Sequence, residues 1–269
     1  MTTLDRFVEI EGLLEGGLLE QNYAQLTEET GPECKDLALE YIGLADSVSH
    51  KDIIFIKQLT KVIRSILKSD PDCLDGLLER TFQFNNEGVQ IIEDGLDGYT
   101  ENRLLDLKAH FFADKGDVSE ALYGKTQDIA WAEKWHSAYK ASADMSTNID
   151  PRHAAYAYGF AGDAAKALFD RTGDTAWAEK WYEATHLSAD MTRSIDPQHS
   201  AVAFGIAGNA ATAVYKVTRQ RRWYNRAIMD YRSLLENYDS NPNPEIRSLA
   251  EYAESTIKFL KNRLPPLRR

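Results

Sequence analysis

DIAWAEKW at Asp128–Trp135 returns as DTAWAEKW at Asp174–Trp181, 46 residues further along the chain. The echo extends in both directions. Gly116–Ala161 aligns with Gly162–Ala207 without a gap, and 25 of the 46 positions are identical. SADM recurs at Ser142–Met145 and Ser188–Met191, and I-D-P-x-H at Ile149–His153 and Ile195–His199. A third, more divergent copy begins at Gly208-Asn209 and keeps Trp223 in register with Trp177, while Pro244 sits one residue past its expected place. Internal periods of about 20 to 50 residues mark stacked supersecondary units, each too small to bury its apolar face alone. The repeat therefore predicts a solenoid.

Each copy reads as two antiparallel helices. Asp150-Pro151 and Asp196-Pro197 are start signals: aspartate accepts from the free amides of the first turn, and proline at the first helical position loses no useful donor. The first helix of the second copy is expected from about Pro151 to Arg171, closing at Thr172-Gly173, where glycine takes the left-handed conformation. Asp174 is expected to cap the second helix, which runs to about Ser194. Its Trp177, Trp181, Ala184, Ser188 and Met191 follow the 4, 3, 4, 3 spacing of a buried stripe. The first helix is rich in small residues, Ala155, Ala157, Gly159, Ala161, Gly162, Ala164, Ala165 and Ala167, so the large aromatics of one helix are expected to pack closely on its neighbour.

Helical patterning continues outside the copies. Helices are expected over 3–27, 33–49 and 52–68, from about Asp72 to Leu96 after the Asp70-Pro71 break, after a Thr100 cap, and as an unpaired closing helix from Pro244 to Lys261. The sum is an all-α chain of about eleven helices. Residues 1–99 form an N-terminal helical region packing on or capping the stack. Repeats then occupy about 100–150, 151–196 and 197–243, and a capping helix spans 244–263.

Composition narrows the function. With 43% hydrophobic residues in a chain of 269, a sizeable core is available. Cys34 and Cys73 stand in no metal-ligand spacing, which fits a reducing cytoplasm. MTTLDRFVEIEGLLEGG carries acidic residues where a signal peptide has a basic region, and no window approaches the roughly 18 apolar residues of a membrane span. The net charge of -11 is unevenly spread: from Lys216 onward there are 12 Lys or Arg against 6 Asp or Glu, and 19 against 36 before it. The acidic body repels nucleic acid, which is bound through Lys and Arg on phosphates. Arg219, Arg221, Arg222 and Arg226, with the ending KNRLPPLRR, offer a patch for an anionic partner or a solvated basic face. There is no Gly-rich phosphate loop, His-Glu-x-x-His or Gly-x-Ser-x-Gly elbow. No catalytic residue, metal or cofactor is expected.

With a Gly-Asn pair in the first helix of the third copy, followed by Tyr224, Ala227, Tyr231, Leu234 and a terminal Pro244, the repeat resembles the tetratricopeptide repeat family. The unit is about 12 residues longer than that family's roughly 34, which amounts to one or two added turns per helix, and Trp135 and Trp181 stand where the family has a small alanine. The resemblance covers about residues 100–262. It implies a right-handed α-solenoid whose first helices line a concave groove that holds a peptide or protein segment, hence a non-catalytic scaffold. Asp117, Asp163 and Asn209, each after a mid-helix glycine, take the groove-lining position, with Lys166 and Thr212 one turn on. A row of such side chains presents itself to an extended or helical segment. Two of the three are acidic, so a basic partner is expected. The same residues also suit an ordinary solvated helix face. Other readings stay open: a small-molecule sensor with an aromatic-lined pocket, or a homo-oligomer joined through acidic body and basic C-terminal repeat.

Two recurring features remain. His153 and His199 sit in a first helical turn, where a protonated imidazole opposes the helix dipole, so both are expected neutral and hydrogen-bonded. Asp144 and Asp190 sit in a last turn, also against the dipole. They are expected to accept from the imidazole or free amides that open the next helix. Trp131, Trp135, Trp177 and Trp181 are expected in the core.

Overall fold

The computed structural model describes residues 78–95, 99–240 and 242–263. Every regular element among them is a helix, eight in all. The helices expected over 3–27, 33–49 and 52–68, Cys34, Cys73, and the residues after Arg263 in the basic ending lie outside the described residues. The chain divides at Gln127/Asp128 into two compact units.

In the first unit, α1 (Leu78–Glu93) packs on α2 (Glu101–Thr126). Thr100 caps α2 by accepting from the Arg103 amide at 3.4 Å. Val89, Ile92, Leu107 and Phe111 form the seam. The two backbones come close because Gly88 has no Cβ: one placed there would lie 2.7 Å from the Phe111 ring.

The second unit carries α3 (Ile129–Ser146), α4 (Pro151–Thr172), α5 (Thr175–Thr192), α6 (Pro197–Thr218), α7 (Arg221–Ser240) and α8 (Pro244–Arg263). Each packs on the next, and α8 also reaches α6. The start signals act as the sequence predicts. Asp150 accepts from the His153 amide and Asp196 from the His199 amide, both at 3.0 Å, while Asp128 and Asp174 accept from Ala130 and Ala176 at 2.9 Å. At the C-terminus of α4, Gly173 adopts φ 69° and returns its amide to the Phe169 carbonyl at 2.8 Å.

Small-against-large packing holds the hairpins together. A Cβ on Gly162 would come within 2.5 Å of Thr185, and one on Gly208 within 2.7 Å of the Tyr231 ring. Trp135, Trp181 and Trp223 are buried. So are Phe204 and Leu234, whose burial stabilises the fold by about 2 kcal/mol each. The buried face of α5 is wider than the expected stripe: Trp181, Ala184 and Ser188 are buried, but so are Ala178, Tyr182, Thr185, Ala189 and Thr192, and Trp177 is only partly covered. The reason is that α5 packs on both α4 and α6, so two faces are enclosed rather than one.

Successive copies are joined by an aromatic contact that itself repeats. His136 meets Trp177 edge-on at 5.3 Å and 85°, and their counterparts Tyr182 and Trp223 meet at 5.2 Å and 84°. His136 also donates from Nδ1 to the Ala161 carbonyl at 2.9 Å. Burial lowers its pKa from the ordinary value, so this imidazole is neutral.

Candidate functional site

The groove-lining residues have different fates in different copies. Asp117 lies half-buried on α2, in the first unit. Asp163 and Lys166 lie on α4, and Asn209 and Thr212 on α6, both in the second unit. In the third copy the polar pair is turned inward: the Tyr231 hydroxyl donates to Asn209 Oδ1 at 2.8 Å, and Thr212 Oγ1 lies 3.5 Å from the same hydroxyl. Tyr231 is fully buried, which raises its pKa well above the ordinary phenol value. Lys166 is exposed, pairs with Asp170 one turn along its own helix, and lies 5.7 Å from the Trp181 ring.

Asp163 stands apart from these. It lines a cavity of about 120 Å³ walled by α4, α5 and α6. Tyr156 and Phe160 from α4 form aromatic walls, Thr185 and Ser188 from α5 supply hydroxyls, and His199 and Ile206 come from α6. Asp163 itself is exposed at the cavity mouth; partial covering of its carboxylate raises its pKa, against a smaller opposing effect of the Lys166 ammonium. Phe160 is 41% exposed at this place and stacks on Tyr139 at 4.9 Å.

The polar groups around the cavity are fixed by the repeat. Ser188 Oγ and His199 Nε2 lie 3.0 Å apart, the same distance as their counterparts Ser142 and His153. Desolvation lowers the His199 pKa, outweighing the nearby Asp196, so the imidazole is neutral near pH 7. Its ring meets that of Tyr156 edge-on at 4.5 Å, and the Tyr156 hydroxyl donates to Asp196 at 3.0 Å. Among the residues lining the cavity, Asp163 is then the one that carries a formal charge.

The expected acceptor role of Asp144 and Asp190 is corrected. Asp144 accepts from the Tyr158 hydroxyl at 2.7 Å and pairs with Lys140 at 2.6 Å, and it is Ser142 that meets the imidazole of the next helix. The position of Tyr158 is Phe204 in the following copy, with no hydroxyl to give. Asp190 instead pairs with Arg193 at 3.2 Å and lies 3.4 Å from His186 Nε2.

The four arginines of the basic stretch are drawn along α7 and its approach. Arg219 lies 5.9 Å from the Tyr215 ring, Arg222 reaches Glu179 at 3.5 Å, and Arg226 covers both Trp223 at 4.5 Å and Tyr182 at 5.0 Å. Arg221 is exposed. Among the described residues no group of three or more His, Cys, Asp or Glu is placed to hold a metal ion. No described helix is long and apolar enough to cross a membrane.

Sequence reasoning missed two things here. One is Thr185, visible only on aligning the copies: that position is Tyr139, Thr185 and Tyr231. The other is a buried ion pair between copies, His186 Nδ1 to Asp230 Oδ1 at 3.0 Å, with Asp230 fully buried. Its signal was a carboxylate on α7 where the other copies have Ala138 and Ala184.

No family model matches the chain, and no curated protein matches it. Among solved structures, the crystal structure of BtubC (BKLC) from P. vanneervenii is similar over 90% of this chain and 96% of that one, at 14% identity and a TM-score of 0.45.

Proposed function

We propose that this chain is a non-catalytic interaction scaffold that holds a basic peptide or protein segment along the first helices α4 and α6 of its second unit. The observation that carries this reading is the position of Asp163, an exposed carboxylate at a partly apolar cavity formed where α4, α5 and α6 meet. Consecutive first helices packed on a shared second helix support a stack of helical hairpins, which on this reading is right-handed and tetratricopeptide-like with a lengthened unit. Such stacks expose equivalent side chains in a row, which suits a long ligand better than a compact one. A closed aromatic chamber for a small molecule has less support, because Trp135, Trp181 and Trp223 are buried in the packing between helices. On this reading the protein works in the cytoplasm.

The test is capture of partners at low and high salt on immobilised wild-type chain and on an Asp117/Asp163/Asn209 triple alanine variant. A basic protein retained by the wild type at low salt, and at least tenfold depleted on the variant, is the expected result. Equal recovery on both would overturn the groove assignment. A concentration-dependent dimer with no other partner would replace it with self-assembly.

A further inference from the structure

Three copies of one hairpin provide an internal control on what each position does. In the third copy the Tyr231 ring packs over Gly208 and its hydroxyl donates to Asn209. In the second copy the glycine is kept as Gly162, asparagine becomes Asp163, and tyrosine becomes Thr185. The threonine does not replace the lost hydrogen bond. Its hydroxyl turns back to its own helix, donating to the Trp181 carbonyl at 2.8 Å, with the Tyr182 carbonyl 3.3 Å away. The cavity of about 120 Å³ lies beside this threonine. Against the third copy, a ring has been removed and a charge added; the first copy has Asp117 and Tyr139 at these positions, so the missing ring is what sets the second copy apart.

The chemistry of the walls selects an occupant. An anion is repelled by Asp163. A neutral apolar group makes no use of the exposed Asp163 carboxylate. A cation with several N–H donors satisfies the carboxylate and has hydroxyl oxygens of Thr185 and Ser188 and the ring of Phe160 around it, the ring face being attractive to positive charge. Lys166, the nearest internal cation on α4, is held by Asp170. The cavity is also small against the roughly 300 Å³ or more of a drug-sized ligand site. We propose that it receives the cationic end of a single lysine or arginine side chain from the bound segment, with Asp163 as the counter-ion and Thr185 as the residue whose small size admits it. This assignment rests on the interaction reading above and adds a residue type and a position to it.

The test uses the full chain labelled for NMR and titrated with N-acetyl-arginine amide, N-acetyl-lysine amide and the uncharged N-acetyl-norleucine amide. Saturable shifts around Asp163, Thr185 and His199 with the two cations, and none with norleucine, are expected. Asp163→Asn, which keeps volume and removes charge, should weaken cation binding at least tenfold. Thr185→Tyr, which restores the ring of the third copy, should do the same while raising the melting temperature. If the tyrosine variant does not fold, the asparagine variant decides alone. Absence of saturable shifts in folded wild type, or equal affinity in Asp163→Asn, overturns the proposal. A protein partner that the Asp163→Asn variant retains undiminished overturns this cavity's role while leaving the scaffold reading intact. Saturable cation binding with no basic segment held more tightly than the free amides upholds the cation site and sinks the scaffold reading.

Discussion

At the scale of single residues, the first helices of the three copies close with the same bond and different side chains. Gln127, Gly173 and Arg219 occupy equivalent positions with φ 55°, 69° and 56°, and each returns its amide to a carbonyl four residues back. Only glycine takes that conformation without a Cβ penalty, which is about 1–2 kcal/mol for other residues and is partly offset by glycine's greater freedom in the unfolded chain. Arg219→Gly should therefore raise the melting temperature by about 2–3 °C, and Gly173→Ala should lower it. Thermal unfolding followed by circular dichroism checks both, and a decrease on Arg219→Gly would mean that its side chain matters more at Tyr215 than its backbone strain. The cap at Gly173 was legible in the sequence because glycine advertises it. The one at Arg219 was not, because arginine reads as charge and here serves geometry. Asp144 shows the same limit: its misfit with the helix dipole was visible, but its partner Tyr158 lies 14 residues on, on the next helix.

At the scale of helices, the starts of α4, α5 and α6 were readable from Asp-Pro and Asp caps, since those depend on local bonds alone. What joins one copy to the next was not, because it depends on which second-helix faces meet. The edge-on pairs His136–Trp177 and Tyr182–Trp223 share a register but not a residue type at their first member. The link between α5 and α7 adds His186 on fully buried Asp230. Here the Asp230 carboxylate 3.0 Å away raises the His186 pKa above the ordinary 6.5, against its own desolvation and the neighbouring Arg226, while Asp190 adds to the rise. Burial in turn pushes the Asp230 carboxyl up, against the opposing pull of the neighbouring His186. A proton held more tightly by the folded chain stabilises it fully below the unfolded histidine's pKa, and that contribution disappears as pH climbs through the raised folded value. Stability of the second unit should thus fall as pH rises past neutrality. His186→Gln should flatten that fall, and Asp230→Asn should shift it to lower pH. Melting temperatures taken from pH 5.5 to 9 test this, with parallel profiles in wild type and both variants being the contrary result. His186→Ala should cost about 3–5 kcal/mol near neutral pH, because it leaves a buried carboxylate unpaired.

At the scale of the whole molecule, the repeat and the compact units do not share a border. The 46-residue identity begins at Gly116, inside α2, while the division between units falls at Gln127/Asp128, between the two helices of the first copy. Identity in sequence reports a duplicated segment, whereas compactness reports which helices bury one another. Those agree only where both helices of a copy pack on their own neighbours. From α3 onward they do: each helix rests on the next, and Trp181, Trp223 and Tyr231 lie in one continuous core with Ala253 and Leu260 of α8. Helical repeats that pack on their neighbours derive stability from intrinsic repeat terms plus nearest-neighbour interfaces, so a run of complete interfaces should stand alone. Residues 128–269 expressed by themselves should give a helical circular dichroism spectrum and a single cooperative melting transition. Shortening that fragment to 128–243 removes Leu249, which packs over Gly205, and the buried Ala253, Ile257 and Leu260, and the transition should broaden and move down by well over the 2–3 °C expected from a single cap. A broad, non-cooperative melt of 128–269 would show instead that the second unit requires the chain before Asp128 to fold, and equal melting of the two fragments would show that α8 is dispensable to the core it covers.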